Sequence, residues 1–395
     1  MKIPLLRAEY LNDHCHCATL EKAKLEYPRY FSDQPHFLSE KHLAQIRLFI
    51  SAYETALREP VVQGLLGSVT AAPEKGLFNS YDFHIGENGP QLIEINTNAA
   101  GAVLGLNATR DLKECCPNSQ QLLGRLALTT VRPYLFNEQQ LVDMFRSEYQ
   151  QRFPARDLQS VVIVDENPEA QFFYPEFVLV RDMLRRHGIA AVIAAPEELT
   201  LREHQIFAGE IRIDLVYNRL TDFALERPEH AVLRQAYERG MVTVSPNPAL
   251  HALYARKSNL AAWWSTQADT VPGIERIRAH VPRTLLVTDS NRDDLWRERK
   301  RWFFKPVAGF GGKAVYRGDK ITQKVWAELP SGAYIAQEYI PPKMRQLKKD
   351  LALKYDLRVY TYGDEILGML ARYYQGQATN FRTEHGGLAS VMVAA

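Results

Sequence analysis

Residues 79–101 read NSYDFHIGENGPQLIEINTNAAG, and the rest of the chain is read outward from this stretch. Asp82 comes before a turn at Gly86–Gly89, and QLIEI (91–95) reads as a short strand after it. Side chains two apart on a strand share a face, so Glu94 and Asn96 stand together, with Leu92 on their side. Ile93 and Ile95 then alternate toward the core. A hairpin returns Asp82 to the same place. Burying an unpaired carboxylate is costly, so this acidic face belongs in a cleft. Two carboxylates and an amide oxygen are hard donors suited to a Mg²⁺ that also keeps phosphate oxygens. Asp82, Glu94 and Asn96 are therefore the candidate metal ligands. Without Asp82, Glu-Ile-Asn would read simply as a polar edge strand.

The next informative stretch is FFKPVAGFGGKAVYRG (303–318). A lysine at a strand end, Lys305, followed by Gly309, Gly311 and Gly312, suits an anion: the glycines let backbone N–H groups approach, and the lysine adds a point charge. The spacing is not that of a Walker A loop, and a glycine-rich turn on its own is most often a hairpin. In AQEYI (336–340), Glu338 interrupts an apolar strand, which fits either an adenine or ribose contact or an edge strand with one exposed face. The segment 356–390 holds Asp356, Arg358, Arg372, Asn380, Arg382 and Glu384-His385-Gly386-Gly387. Arginines on neighbouring strands can converge on phosphate or carboxylate; surface strands also carry arginines routinely. The double glycine implies a turn or a close backbone approach. Arg219 ends the strand DLVYNR, and ligands of doubly wound sheets gather at strand C-termini. It is a candidate clamp for a substrate carboxylate.

Between these motifs, 38–66 has apolar residues at helical spacing with Ser39 as N-cap. Residues 118–152 read as helix, broken near Pro133. QSVVIVD (159–165), a helix over about 174–187 and IAAVIA form a strand–helix–strand unit of the parallel kind. IRIDLVYNR (211–219) and VTVSPNP (242–248) add further strands. DLRVYTY (356–362) and EILGMLARYY (365–374) pair across Gly363-Asp364. The fold class is α+β with an α/β subdomain. The partition expected is 1–150 (N-terminal helices and the metal hairpin), 151–250 (small doubly wound substrate domain) and 251–395 (nucleotide-binding part).

The chain has 395 residues, 46% hydrophobic and 24% charged, with a net charge of +2. That balance gives no argument for nucleic acid or an anionic membrane. No apolar run approaches the roughly 20 residues of a membrane span, and the N-terminus lacks a signal-peptide pattern; a cytoplasmic location is expected. Four cysteines, in the clusters 15/17 and 115/116, make no disulfide framework. His14-Cys15-His16-Cys17 lacks paired CxxC spacing and reads as a loop or helix start.

Taken in order, these motifs resemble the circularly permuted ATP-grasp ligases, with eukaryotic-type glutathione synthetase and the glutathionylspermidine synthetase group nearest. LIEINTNAAGAVLGL is similar to that family's early metal strand. VYNR, SPNPALHALYARKSNLAAW, FFKPVAGFGG, AQEYI and the final strand pair ending in Gly-Gly follow in the family's order. The resemblance runs from about residue 75 to the end. It implies a carboxylate–amine ligase that uses ATP and Mg²⁺ and forms an amide through an acyl-phosphate. Lys257, otherwise a charge opening a helix, and Lys305 would contact phosphates, with Gly309, Gly311 and Gly312 as a lid. Gln337, Glu338 and Ile340 would line the adenine pocket. Arg219, Arg358 and Arg372 would bind substrate or steady the acyl-phosphate. The family's glycine loop carries a glutamate just after its Lys-Pro. Val307-Ala308 stand there instead, which favours Asp82 as the third ligand. The alternatives are a small-molecule kinase of the same fold and a nucleotide-binding protein without turnover. Expected partners are the carboxylate and amine substrates, with a homodimer as the one assembly considered and neither nucleic acid nor membrane involved.

Overall fold

In the computed structural model the hairpin forms as its sequence dictates. Asn79–Gly86 pairs antiparallel with Gly89–Asn96, and the turn closes on Gly89 at φ +99. Residues 30–32, 34–66, 74–109, 131–309, 314–348, 350–381 and 383–394 are described. The His14–Cys17 and Cys115/Cys116 segments, residues 118–130, Gly311, Gly312 and Arg382 lie outside them.

The hairpin is the edge of an eight-stranded sheet. Asn79–Gly86 pairs with Leu351–Tyr362, that strand with Glu365–Tyr374 across the Gly363 turn, and that one with Gly387–Ala394. His36–Ser39 closes the far edge in parallel with Gly387–Ala394. An early hairpin is thus hydrogen-bonded to strands about 275 residues later, with Asp82 directly opposite Arg358. Alternation along Leu351–Tyr362 splits the core. Leu357 and Val359 pack on one face with the helix Glu40–Ala56; Tyr360 and Tyr362 pack on the other with the helix Glu138–Arg152.

The expected helix over 38–66 is two helices, Glu40–Ala56 and Pro60–Leu65. Ser39 Oγ accepts from His42 N at 3.2 Å as the N-cap, and Pro60, which has no N–H to donate, starts the second helix rather than continuing the first. Within the expected helix 118–152, Val131–Pro133 is instead a short strand on Gly387–Ala394, and helix begins only at Glu138. The α/β unit is a parallel sheet of Thr243–Ser245, Leu215–Asn218, Ser160–Val164 and Ala190–Ala194, in that order. IRIDLVYNR is not one strand. Ile211–Arg212 belongs to a three-stranded antiparallel ribbon, and Asp214, whose carboxylate accepts from Gln159 N at 2.9 Å, separates it from Leu215–Asn218. A fourth sheet orders Thr284–Leu286, Tyr334–Glu338, Trp302–Pro306 and Tyr316–Arg317 around Phe304 and Trp326. Among the described residues no helix is long and apolar enough to cross a membrane.

Candidate functional site

One bulge shapes the acidic strand. Asp82 faces Glu94 and Phe83 faces Leu92, so Ile93 is the extra residue. A bulge re-aims side chains locally. Leu92 and Ile95, three apart, both enter the core, while Ile93, Glu94 and Asn96 line a cavity of about 880 Å³. The expectation that Ile93 anchors the core while Leu92 shares the face of Glu94 is corrected: a strict two-residue period ends at the bulge.

The same cavity is lined by Asp82, Arg219, Lys257, Lys305 and Gly309, and by Gln337, Glu338, Ile340, Arg358 and Arg372. Every described residue expected to hold metal, nucleotide or substrate therefore faces one space. Of the C-terminal group, Asp356 and Asn380 line it too, whereas His385 does not.

Asp82 is 1% exposed, and both its oxygens are taken. Arg358 Nε and Nη2 reach Oδ1 and Oδ2 at 2.9 and 2.7 Å, and Arg372 Nη2 reaches Oδ2 at 2.8 Å. Burial pushes this carboxyl upward, but the two guanidiniums outweigh it and hold its pKa at about 2. Arg372 Nε also donates to Asp356 at 2.6 Å. The arginines are thus fixed by carboxylates on facing strands, and Asp82 is committed to them rather than to a cation.

Glu94 is less enclosed. Its Oε2 lies 3.7 Å from Lys257 Nζ, and Oε1 accepts from Asn96 Nδ2 at 3.4 Å. Burial raises its pKa, yet Lys257 and Lys305 together draw it below the ordinary value. Asn96 lines the cavity and donates its Nδ2 to Asp82 at 3.0 Å, so its amide oxygen is not used in that contact. Glu94 and that oxygen fit a Mg²⁺ completed by phosphate oxygens and water. Asp82 does not fit as the third donor, and no cluster of three His, Cys, Asp or Glu suited to a metal occurs among the described residues.

The lysines come from elements far apart in sequence. Lys257 donates to Gly309 O at 2.9 Å. Lys305, on Trp302–Pro306, donates to Gln337 Oε1 at 2.7 Å and to the bulge carbonyl of Ile93 at 2.9 Å. Burial lowers the Lys305 pKa to about 8. Both ammonium groups can exchange a carbonyl for a phosphate oxygen without breaking a tight ion pair.

Arg219 is 8% exposed, stacks over Phe177 and Tyr217 at 5.6 and 5.3 Å, and donates to Asn98 O at 2.5 Å; its buried Nε has no partner. Among the lining residues that went unread in the sequence are His84, Asn98, Asp165, Phe172 and Phe173. His84 was legible, being two residues beyond Asp82 on its strand; its Nδ1 lies 2.7 Å from Ile340 O. Asp165 closes the strand Ser160–Val164, the same strand-end signal that singled out Arg219.

No protein-family model matches the chain, and no curated protein matches it in sequence. Solved structures do. A glutathione synthetase-like effector from Globodera pallida, in apo form, superposes over 99% of this chain and 97% of its own, with a TM-score of 0.59 at 9% identity. A putative γ-glutamylcysteine synthetase from Methylobacillus flagellatus superposes over 90% and 89%, with a TM-score of 0.51 at 12% identity. The chain thus shares its overall fold with these two structures, one described as glutathione synthetase-like and the other as a putative γ-glutamylcysteine synthetase.

Proposed function

We propose that this protein is an ATP- and Mg²⁺-dependent ligase that joins a carboxylate to an amine through an acyl-phosphate. The observation that carries this reading is the convergence of Lys257, Lys305, Glu94, Asn96, Arg358 and Arg372 on one cavity. The fold likeness supports the nucleotide part of the reading but not the identity of the substrates.

Lys257 and Lys305 bind the phosphates of ATP, and Gln337, Glu338 and Ile340 line the base pocket. Glu94 and Asn96 hold Mg²⁺, which neutralises charge on the phosphate oxygens. Arg358 and Arg372, locked by Asp82 and Asp356, face the transferring phosphoryl group. Preorganised cations of this kind cost no reorganisation when charge develops. Arg219 orients the carboxylate substrate, whose oxygen attacks the γ-phosphorus and displaces ADP to give the acyl-phosphate. The amine then displaces phosphate. No side chain serves as a covalent nucleophile.

Glu94→Gln keeps the shape of the side chain and removes its charge. It should cut ADP release at least about a hundredfold while the circular dichroism spectrum and melting temperature stay near native. Normal turnover in that variant would sink the assignment. Mass spectrometry of the product separates an amide from a phosphate ester, and a stable ester as the only product would replace the ligase by a kinase.

A further inference from the structure

Around Arg219 the cavity wall is made of rings. Phe177 lies under its guanidinium, and one helical turn earlier Phe173 lines the same cavity. Phe173 meets Phe172 at 5.1 Å and Phe381 at 5.3 Å between centroids, and Phe172 meets Phe381 at 5.6 Å. Phe172–Phe173 follow the parallel strand Ser160–Val164, whereas Phe381 belongs to the connection into the last strand of the central sheet. The wall brings these two parts of the chain together.

Phe172 is 42% exposed. It is one of five large apolar side chains that open among the described residues, and of these it alone lines the cavity. Water against such a patch is unfavourable unless something covers it. The polar neighbours do not soften it. Gln171 Nε2 is turned to Glu166 O at 2.6 Å, Thr379 donates its hydroxyl to Asp356 at 2.5 Å, and Asn380 Nδ2 donates to Gln375 O at 2.7 Å.

We propose that this wall receives an apolar group of the acid substrate, an aryl or branched alkyl group next to the carboxylate that Arg219 orients. The inference rests on the ligase reading and narrows it: the acid joined by this protein is not wholly polar. Desolvating the group against Phe172, Phe173 and Phe381 supplies binding that a short polar acid cannot match, and a bulkier apolar group gains more contact.

Phenylacetate and acetate are matched probes for the test. Each is titrated into the full chain by saturation-transfer NMR, and MgATP binding is measured separately by calorimetry. Phenylacetate should bind at least about tenfold more tightly than acetate. Phe172→Ala, at an exposed position that folding tolerates, should bring the two acids to within about twofold, and Phe381→Leu should narrow the gap. Leu48→Ser, on an exposed helix position away from the cavity, should leave the ratio unchanged. Equal binding of the two acids to native protein overturns the inference, as does an unchanged ratio in folded Phe172→Ala. A protein that prefers phenylacetate but does not bind MgATP keeps the apolar subsite and refutes the ligase reading. The opposite result refutes only the inference.

Discussion

At the scale of single residues, Lys305 makes the proposed nucleotide site sensitive to pH. Burial favours its neutral form and brings its pKa down to about 8, while only the ammonium form attracts phosphate. The sign follows: affinity for MgATP is greatest below pH 8 and falls as pH rises through that value. The decline should approach about tenfold per pH unit. Calorimetric dissociation constants between pH 7 and 9.5 check this, and Lys305→Arg, charged throughout, should flatten the curve. Asp82 shows how the neighbours of a residue fix its role. Its residue type and place in the hairpin suit a metal, but Arg358 and Arg372 occupy it, so its part in the site is to aim two guanidiniums.

At the scale of elements, Gly386-Gly387 marks the start of the strand Gly387–Ala394. Gly387 sits at φ +108, and a Cβ there would lie 2.6 Å from Tyr30 O. Gly387→Ala therefore meets both a backbone penalty and a collision. It should destabilise the fold by about 2 kcal/mol or more in urea unfolding. Gly64 has an ordinary φ, and a Cβ there meets nothing within 4 Å. Gly64→Ala, inside the helix Pro60–Leu65, should stabilise the protein slightly, by up to about 1 kcal/mol. The bulge at Ile93 is the other decisive element. It frees that residue's carbonyl for Lys305 and turns Ile93 toward the cavity.

At the scale of the whole molecule, Glu148 ties three parts together. From the helix Glu138–Arg152 it accepts from Lys75 N and Gly76 N at 3.0 and 2.9 Å, just before the hairpin, and from the Ser245 hydroxyl at the end of the parallel sheet. Burial drives its pKa from 4.5 up to about 7, against the pull of these donors. A carboxyl raised in the folded state stabilises it below the unfolded value, and that contribution is lost as pH rises through about 7. The native protein should lose up to about 3 kcal/mol between pH 4.5 and 8 through this group. Glu148→Gln should show a smaller drop across that range in melting temperature.

What the sequence by itself determined was local. Continuous apolar runs named strands of the parallel sheet, Ser39 named its helix cap, and residue chemistry picked out Glu94, Lys305, Arg219 and the paired glycines, because such signals depend on neighbours within a turn or two. Tertiary structure decided the rest. A one-residue bulge reversed the roles of Leu92 and Ile93, Pro60 divided a helix, and cross-strand pairing drew Asp82 onto Arg358. Phe172 and Phe381, more than 200 positions apart, became one wall. Contacts of that range depend on which strands pair and which layers stack, and no local period or propensity encodes them.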